Sequence, residues 1–493
     1  MSEMIADSET VHIYLQSYEL SKPYLKRALD SIKNQTYTNW ICHIFDNGSG
    51  DEVKGIISQY AQADSRFRPL FVKESNTIVF LGIPMMVEES NGSGYFMMVD
   101  ADDELVPLAM ERLVGFSKQY SLDMTVAGAY FVDSVSGKLL GSRCASRNIV
   151  VEGRDFEAIF DETYQLMRTH WIKLYKMEVI KRINLSKTYN IGFGGDTFFV
   201  RESILSSYKI GIMTDILYRY YQINYTGKSY YKDVSRISAP EAIFKRDIDF
   251  LSRKCGALSE KNLMKLLVVY VAELREVISL ISKGFYGQDI IGLMHSVICS
   301  DVFKLAVTKV KSDLYLNIAQ WVISQHFWEN ENDFTKAAEI LSAISLVPNE
   351  VPGCPEEMQL LLFIKVHRVW DNMASIGEVE SLIKKKAEHI GILSKCPIRC
   401  LCDCEDMVSF IVHEEYKRAQ EWIIEAICNE MEFSTVLWKR YLLQIGVDLA
   451  ALNEDIDKFI LLKRMQIELL SVENPGLAEQ EKAEWAEFLF CGD

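Results

Sequence analysis

The sequence predicts an α/β protein: a Rossmann-like, mostly parallel sheet domain over residues 1–238, then an all-α domain over residues 239–493. Three observations predict it. Short apolar runs alternate with amphipathic stretches through the first 135 residues. No proline occurs between Pro240 and Pro348, where long helical stripes take over. Polar residues of the first half collect at the ends of candidate strands, where open α/β sheets gather their ligands.

Val11–Gln16 (VHIYLQ) reads as a buried strand. In PYLKRALDSIKNQ, which opens on Pro23, residues Leu25, Ala28, Leu29 and Ile32 fall on one helical face. Trp40–Phe45 (WICHIF) is a second strand closed by the turn DNGSGD, and Val53, Ile56, Ile57 and Tyr60 mark the helix behind it. Pro69–Lys73 and Tyr95–Asp100 are strands with a helix between them, and PLAMERLVGFSKQY again opens a helix on proline. This rhythm implies βαβ units. Residues 124–235 mix strand-like MTVAGAYFVD, helix-like HWIKLYKMEVIKRI and a strand near IGIMTDILYRYY. Farther on, Leu263, Leu266, Leu267, Tyr270, Leu274, Val277, Ile278 and Ile281 form one apolar stripe. More helices are expected around 301–328, 333–346, 356–370, 405–431 and 453–472, with no fixed repeat length.

The 493 residues are 49% hydrophobic and carry a formal net charge of −16, which argues against a nucleic-acid binder with its basic face. MSEMIADSET has neither the basic region nor the apolar core of a signal peptide. The apolar run LLVVYVA is far shorter than the ~20 residues of a membrane span. Eleven cysteines without a leader fit reduced thiols, so a cytoplasmic protein without a transmembrane segment is expected.

In YFMMVDADDE (Tyr95–Glu104) an apolar strand stops in four carboxylates. Two explanations compete. Carboxylates two apart on a turn suit a hard divalent cation, which takes oxygen ligands and would stabilise a departing diphosphate. Alternatively, Asp102, Asp103 and Glu104 merely favour the start of the helix entered at Pro107, at ~0.3–1 kcal/mol.

Five segments in order resemble a family 2 glycosyltransferase of the GT-A fold. They are the opening VHIYLQSYELSKPYLKRALDSIKNQTYTNWICHIFDNGSGD, then YFMMVDADDE, HWIKLYKMEVI, FGGDTFF and LYRYYQ. The resemblance covers roughly residues 10–235. It implies that Ser17, Glu19, Asp46, Asn76, Asp100 and Asp102 bind a UDP-sugar, with Ser17 and Glu19 at the uridine and Asp46 reading the uracil. Asp100 would face the ribose or a metal-bound water, and Asp102, with Asp100, would hold Mn²⁺ or Mg²⁺. Asp196 falls where the family keeps its catalytic base, for an inverting attack; such help is typically worth ~10²–10⁴-fold. The sequence also departs from the family. Asn47 replaces a second aspartate, and Gly195 replaces the glutamate before the base. FLGIPMM stands in place of the small-Arg-Asn segment, and Gln222 and Asn224 stand where a metal-binding histidine is usual. Asp196 also suits a helix cap, and Trp171 reads as core rather than sugar platform.

Cys396, Cys400, Cys402 and Cys404 crowd into nine residues without a second separated pair, and read as free thiols rather than a zinc site. No phosphate loop, H-E-x-x-H helix or G-x-S-x-G elbow is present. Three uses are open to the C-terminal helices: presenting an acceptor, joining two copies as a homodimer, or bracing the sheet domain. The leading expectation is transfer of N-acetylglucosamine or glucose from its UDP form to a polypeptide such as flagellin, with a capsular or cell-wall glycan as the second acceptor. A nucleotidyltransferase and a non-catalytic scaffold are the competing classes.

Overall fold

The computed structural model describes residues 9–73, 80–185, 194–222, 235–282, 290–310, 405–428, 436–473 and 475–486, with isolated positions between 312 and 387. The chain divides into two compact units, Met1–Tyr270 and Val271–Asp493.

The first unit is built on one mixed sheet. Its strands are β1 (Val11–Ser17), β2 (Trp40–Asp46), β3 (Phe67–Phe71), β4 (Tyr95–Asp100), β5 (Glu104–Leu105), β6 (Met124–Asp133), β7 (Leu139–Arg143), β8 (Ile149–Glu152), β9 (Lys173–Lys176) and β10 (Lys209–Gln222). Their order is β3-β2-β1-β4-β9-β6-β10-β5, with β7 beside β6 and β8 beside β10. β1, β2, β3 and β4 run parallel, whereas β9 is antiparallel to both of its neighbours. A strand covered on both faces cannot alternate, and β1 accordingly buries nearly every residue.

Helix α1 (Leu25–Lys33) buries Leu25, Ala28, Leu29 and Ile32 on this sheet, the face its spacing predicts. Burial of each large aliphatic side chain is worth about 1.5–3 kcal/mol. α2 (Asp51–Ala63), α3 (Ile83–Glu89) and α4 (Ala109–Tyr120) complete the βαβ rhythm. α5 (Phe156–Thr163), α6 (Met177–Lys181), α7 (Gly195–Ser206) and α8 (Ser235–Cys255) follow. Gly94 starts β4 at φ +83°, and a Cβ there would come within 2.4 Å of Thr10 O, so only glycine fits.

One expectation changes. HWIKLYKMEVIKRI is not one helix: its first half is β9, buried between β4 and β6, and only Met177–Lys181 coils. Ile172 sits at φ +52°, a conformation that breaks helical continuity just before β9. The two compact units meet at Tyr270/Val271. α8 packs on α7, where its Asp247 is buried in an ion pair with Arg201, at 2.6 Å from the Arg201 Nε.

α9 (Glu260–Ser282), in which the division falls, buries most of the expected stripe, from Leu266 to Ile281. The second unit continues with α10 (Ile290–Ile298), α11 (Asp301–Val310), α12 (Glu405–Val412), α13 (Tyr416–Cys428), α14 (Val436–Leu452), α15 (Ile456–Glu473) and α16 (Pro475–Glu484). From α12 to α16 each helix packs on its successor. The helix expected over 405–431 is broken at Glu414, which takes φ +62°. The helix expected at 356–370 and the Cys396–Cys404 cluster lie outside the described residues. Among the described residues no single helix is long and apolar enough to cross a membrane; α10 and α11 together, bent by 62°, pass by length and composition alone.

Candidate active site

The chain runs from β1 out to β3 and returns to β4 on the other side of β1, so strand order reverses there. A crevice beyond the carboxyl ends of β1, β2 and β4 is the expected ligand position. The register sets its residues level: Ser17 pairs with Asp46, and Gln16 with Asp100.

On the β1–β2 side, Ser17 Oγ donates to Asp46 Oδ1 at 3.1 Å, and Ser49 N–H donates to Asp46 Oδ2 at 3.3 Å. Asp46 is fully buried. Here its carboxylate ties β1 to the turn after β2. Glu19 Oε2 accepts Gly50 N–H at 2.8 Å and closes the same turn from the other side. Asn76 lies outside the described residues.

On the β4 side the sequence reading missed the central residue. His170 Nε2 lies 2.7 Å from Asp100 Oδ1, and its Nδ1 lies 3.0 Å from Asp196 Oδ2. One imidazole therefore joins the end of β4 to the first turn of α7. Burial opposes a charge on His170, but Asp100 and then Asp196 outweigh it and hold its pKa well above the usual histidine value. Burial likewise works against the Asp196 charge, and His170 more than compensates, so its pKa lies below the usual carboxylate value. Asp196 is thus ionised and hydrogen-bond competent, with 44% of its side chain exposed to an incoming group. The signal was a histidine immediately before Trp-x-Lys-Leu-Tyr, which carries no meaning until β9 and α7 are folded together.

Asp100, Asp102 and Asp103 each offer a carboxylate oxygen within 4.8 Å of the others. This set fits a divalent cation: all ligands are oxygens, and Asp103 Oδ2 is buried without a hydrogen-bond partner of acceptable geometry. Asp103, unassigned from sequence, is fully buried, and its Oδ1 accepts Tyr221 N–H at 2.9 Å. Burial first, then the charges of Asp100 and Asp102, raise its pKa well above normal, a repulsion that a cation would relieve. Tyr218 Oη accepts Asp100 N–H at 3.2 Å, and Trp171 stacks on Tyr218 with centroids 5.3 Å apart. Trp171 is 5% exposed and belongs to the core, as expected.

A basic residue of α1 reaches the acidic turn. Arg27 Nη2 donates to the Asp102 carbonyl, and its guanidinium lies 3.4 Å from the Tyr221 ring centroid. Phe80 is buried, edge-on to His170 at 6.0 Å. Beneath them Lys173 is fully buried; its Nζ donates to the carbonyls of Thr169 and Trp171, on either side of His170. Burial, with Arg143 and Arg201 adding, pushes its pKa down to about 7. Gln222 ends β10 paired with Asp133, and Asn224 lies outside the described residues.

A mostly parallel mixed sheet with a strand-order reversal is the arrangement of a GT-A domain, and here a carboxylate cluster stands at that reversal with a further carboxylate on the facing helix. Residues 17–202, within the first unit, match the model of glycosyl transferase family 2. Glycosyltransferase GlyA of Streptococcus pneumoniae is 24% identical over 225 residues, 44% of this chain and 31% of that protein. Poly(ribitol-phosphate) β-N-acetylglucosaminyltransferase TarP of Staphylococcus aureus is 26% identical over 261 residues, 49% of this chain and 75% of that one. Among solved structures, residues 1–349 of S. aureus TarS bound to UDP-GlcNAc align over 68% of this chain and 89% of TarS 1–349, at 13% identity and a TM-score of 0.41. The chain thus spans under a third of GlyA and three quarters of TarP.

Proposed function

We propose that the protein is an inverting glycosyltransferase that moves a sugar, N-acetylglucosamine or glucose, from its UDP form to a hydroxyl of a glycan or polyol polymer. The reading rests on one observation: His170 stands between Asp196 and Asp100, and Asp100 clusters with Asp102 and Asp103. Base and diphosphate site are therefore parts of one array. The likeness to TarP supports a polymer acceptor over the polypeptide expected from sequence.

Asp100, Asp102 and Asp103 would hold Mn²⁺ or Mg²⁺ at the diphosphate. When bound, the ion supplies Lewis-acid stabilisation of the charge on the leaving group. Asp196 takes the proton of the acceptor hydroxyl as that oxygen bonds to the anomeric carbon. The bond from that carbon to the phosphate oxygen breaks with its electron pair, UDP departs and configuration inverts. Because His170 depresses the basicity of Asp196, proton transfer runs late, after bonding to the anomeric carbon has made the hydroxyl acidic. Ser17, Glu19 and Asp46 fix the nucleoside end by holding the 46–50 turn rigid. The free thiols Cys42, Cys144 and Cys255 suit a cytoplasmic setting.

The test is UDP release by the full-length protein with Mn²⁺ and a panel of nucleotide sugars, given a polyol-phosphate polymer in one arm and a polypeptide in the other. Polymer-stimulated turnover with a UDP-sugar supports the reading. Stimulation by polypeptide alone overturns the acceptor, and pyrophosphate release from a nucleoside triphosphate overturns the class.

A further inference from the structure

We propose a second saccharide-binding subsite in the cleft between α7 and α8, on the face of α7 opposite Asp196. The cleft holds about 160 Å³ and is lined by Phe198, Glu202, Arg246, Asp249 and Arg253. It rests on the acceptor being built of sugars, the reading given above.

The helical period separates this cleft from the catalytic face. Gly194, Thr197, Phe198, Arg201, Glu202 and Leu205 recur at three- and four-residue spacing and share one side of α7. Asp196 projects from the other side, towards His170. The two faces lie about 10 Å apart, one helix diameter.

Its chemistry is that of sugar recognition. Hydroxyls donate and accept together, so a site for them needs both kinds of partner. Arg246 and Arg253 supply donors, and Glu202 and Asp249 supply acceptors. Arg246 has no carboxylate partner among the described residues; its guanidinium lies 5.6 Å over the Phe198 ring, and burial lowers its pKa. Arg253 reaches Glu202 and Asp249 only at 3.5 and 3.4 Å, contacts loose enough to leave room for a ligand hydroxyl. Phe198, half-exposed, offers an apolar ring against which the carbon face of a pyranose would pack. The floor is rigid: Arg201 and Asp247 are buried, bonded at 2.6 Å and braced by Tyr164 Oη at 3.2 Å. Charges in the cleft balance, three arginines against three carboxylates, which favours a neutral polyhydroxyl ligand over a phosphate.

The experiment is saturation-transfer NMR and calorimetry on the full-length protein with glucose, N-acetylglucosamine and their disaccharides, with UDP and Mn²⁺ filling the donor site. Inorganic phosphate is the competing probe. Binding should weaken roughly tenfold or more in Arg246→Ala and in Phe198→Ala, and less in Arg246→Lys, which keeps the charge but loses the planar fork. It should persist in Asp196→Asn. Donor hydrolysis should be unchanged in Arg246→Ala, so a failure of the transferase reading shows separately as absent hydrolysis in the parent. Absence of saccharide binding, binding that survives both cleft variants, or displacement of the saccharide by phosphate each overturns the proposal. Melting temperatures equal to the parent's confirm that the variants are folded.

Discussion

Asp100 and Asp196 are 96 residues apart in sequence yet bind the two nitrogens of one imidazole, at 2.7 and 3.0 Å through His170. The array is a histidine kept charged by two carboxylates, one at the end of β4 and one in the first turn of α7. Pre-formed geometry of this kind spares the reaction the cost of assembling it.

Removing the base should therefore be severe, and removing its partner less so. Asp196→Asn is expected to lower kcat about 10²–10⁴-fold with little change in donor KM. His170→Gln should lower kcat by about tenfold to a hundredfold. The double variant should be no worse than Asp196→Asn alone, because the two act as a unit. Steady-state kinetics of all three decide it, and full additivity would sink the coupling.

Cation binding can be read without turnover. In Asp102→Asn, Mn²⁺ affinity measured by electron paramagnetic resonance in the presence of UDP should fall roughly tenfold or more, from the loss of one anionic oxygen ligand. An unchanged affinity would remove Asp102 from the metal set.

Arg27 tests whether α1 holds the acidic turn. Arg27→Met loses a hydrogen bond to the Asp102 carbonyl and the stack on Tyr221. These together are worth about 1–3 kcal/mol at a half-buried site. Donor KM should rise about tenfold, with kcat reduced less. Arg27→Lys should rescue it poorly, since an ammonium lacks the planar face. Full recovery by lysine would show that charge alone matters.

Lys173 makes stability depend on pH in an unusual direction. Its pKa is about 7 in the folded protein against 10.5 ordinarily, so between those values the unfolded chain binds the extra proton. Stability should rise as pH increases from about 7 to 10.5, by up to ~1.4 kcal/mol per pH unit, and level off below 7. Urea midpoints for the parent and Lys173→Met across that range provide the check. The variant should lose this slope, and equal slopes would place Lys173's charge elsewhere.

How far the sequence reached differs between elements. Short apolar runs located β1, β2, β4 and β6, and period-3.6 spacing located α1 and α2, because those signals are written locally. HWIKLYKMEVIKRI defeated the same method. β9 is covered on both sides, so its apolar run looked the same as a buried helix, and only pairing with β4 and β6 settled it. The acidic cluster was legible as a cluster, but not that Asp103 would be its buried member.

By itself the sequence determined the composition of each face: which residues are apolar at which spacing, and which polar groups end the strands. Those are properties of neighbours along the chain. Tertiary structure decided that His170 stands between Asp100 and Asp196, that Arg27 reaches the Asp102 carbonyl from α1, and that Arg246 faces a cleft. Each depends on side chains brought together across the sheet by strand order and register, and local periodicity does not encode which strand lies beside which.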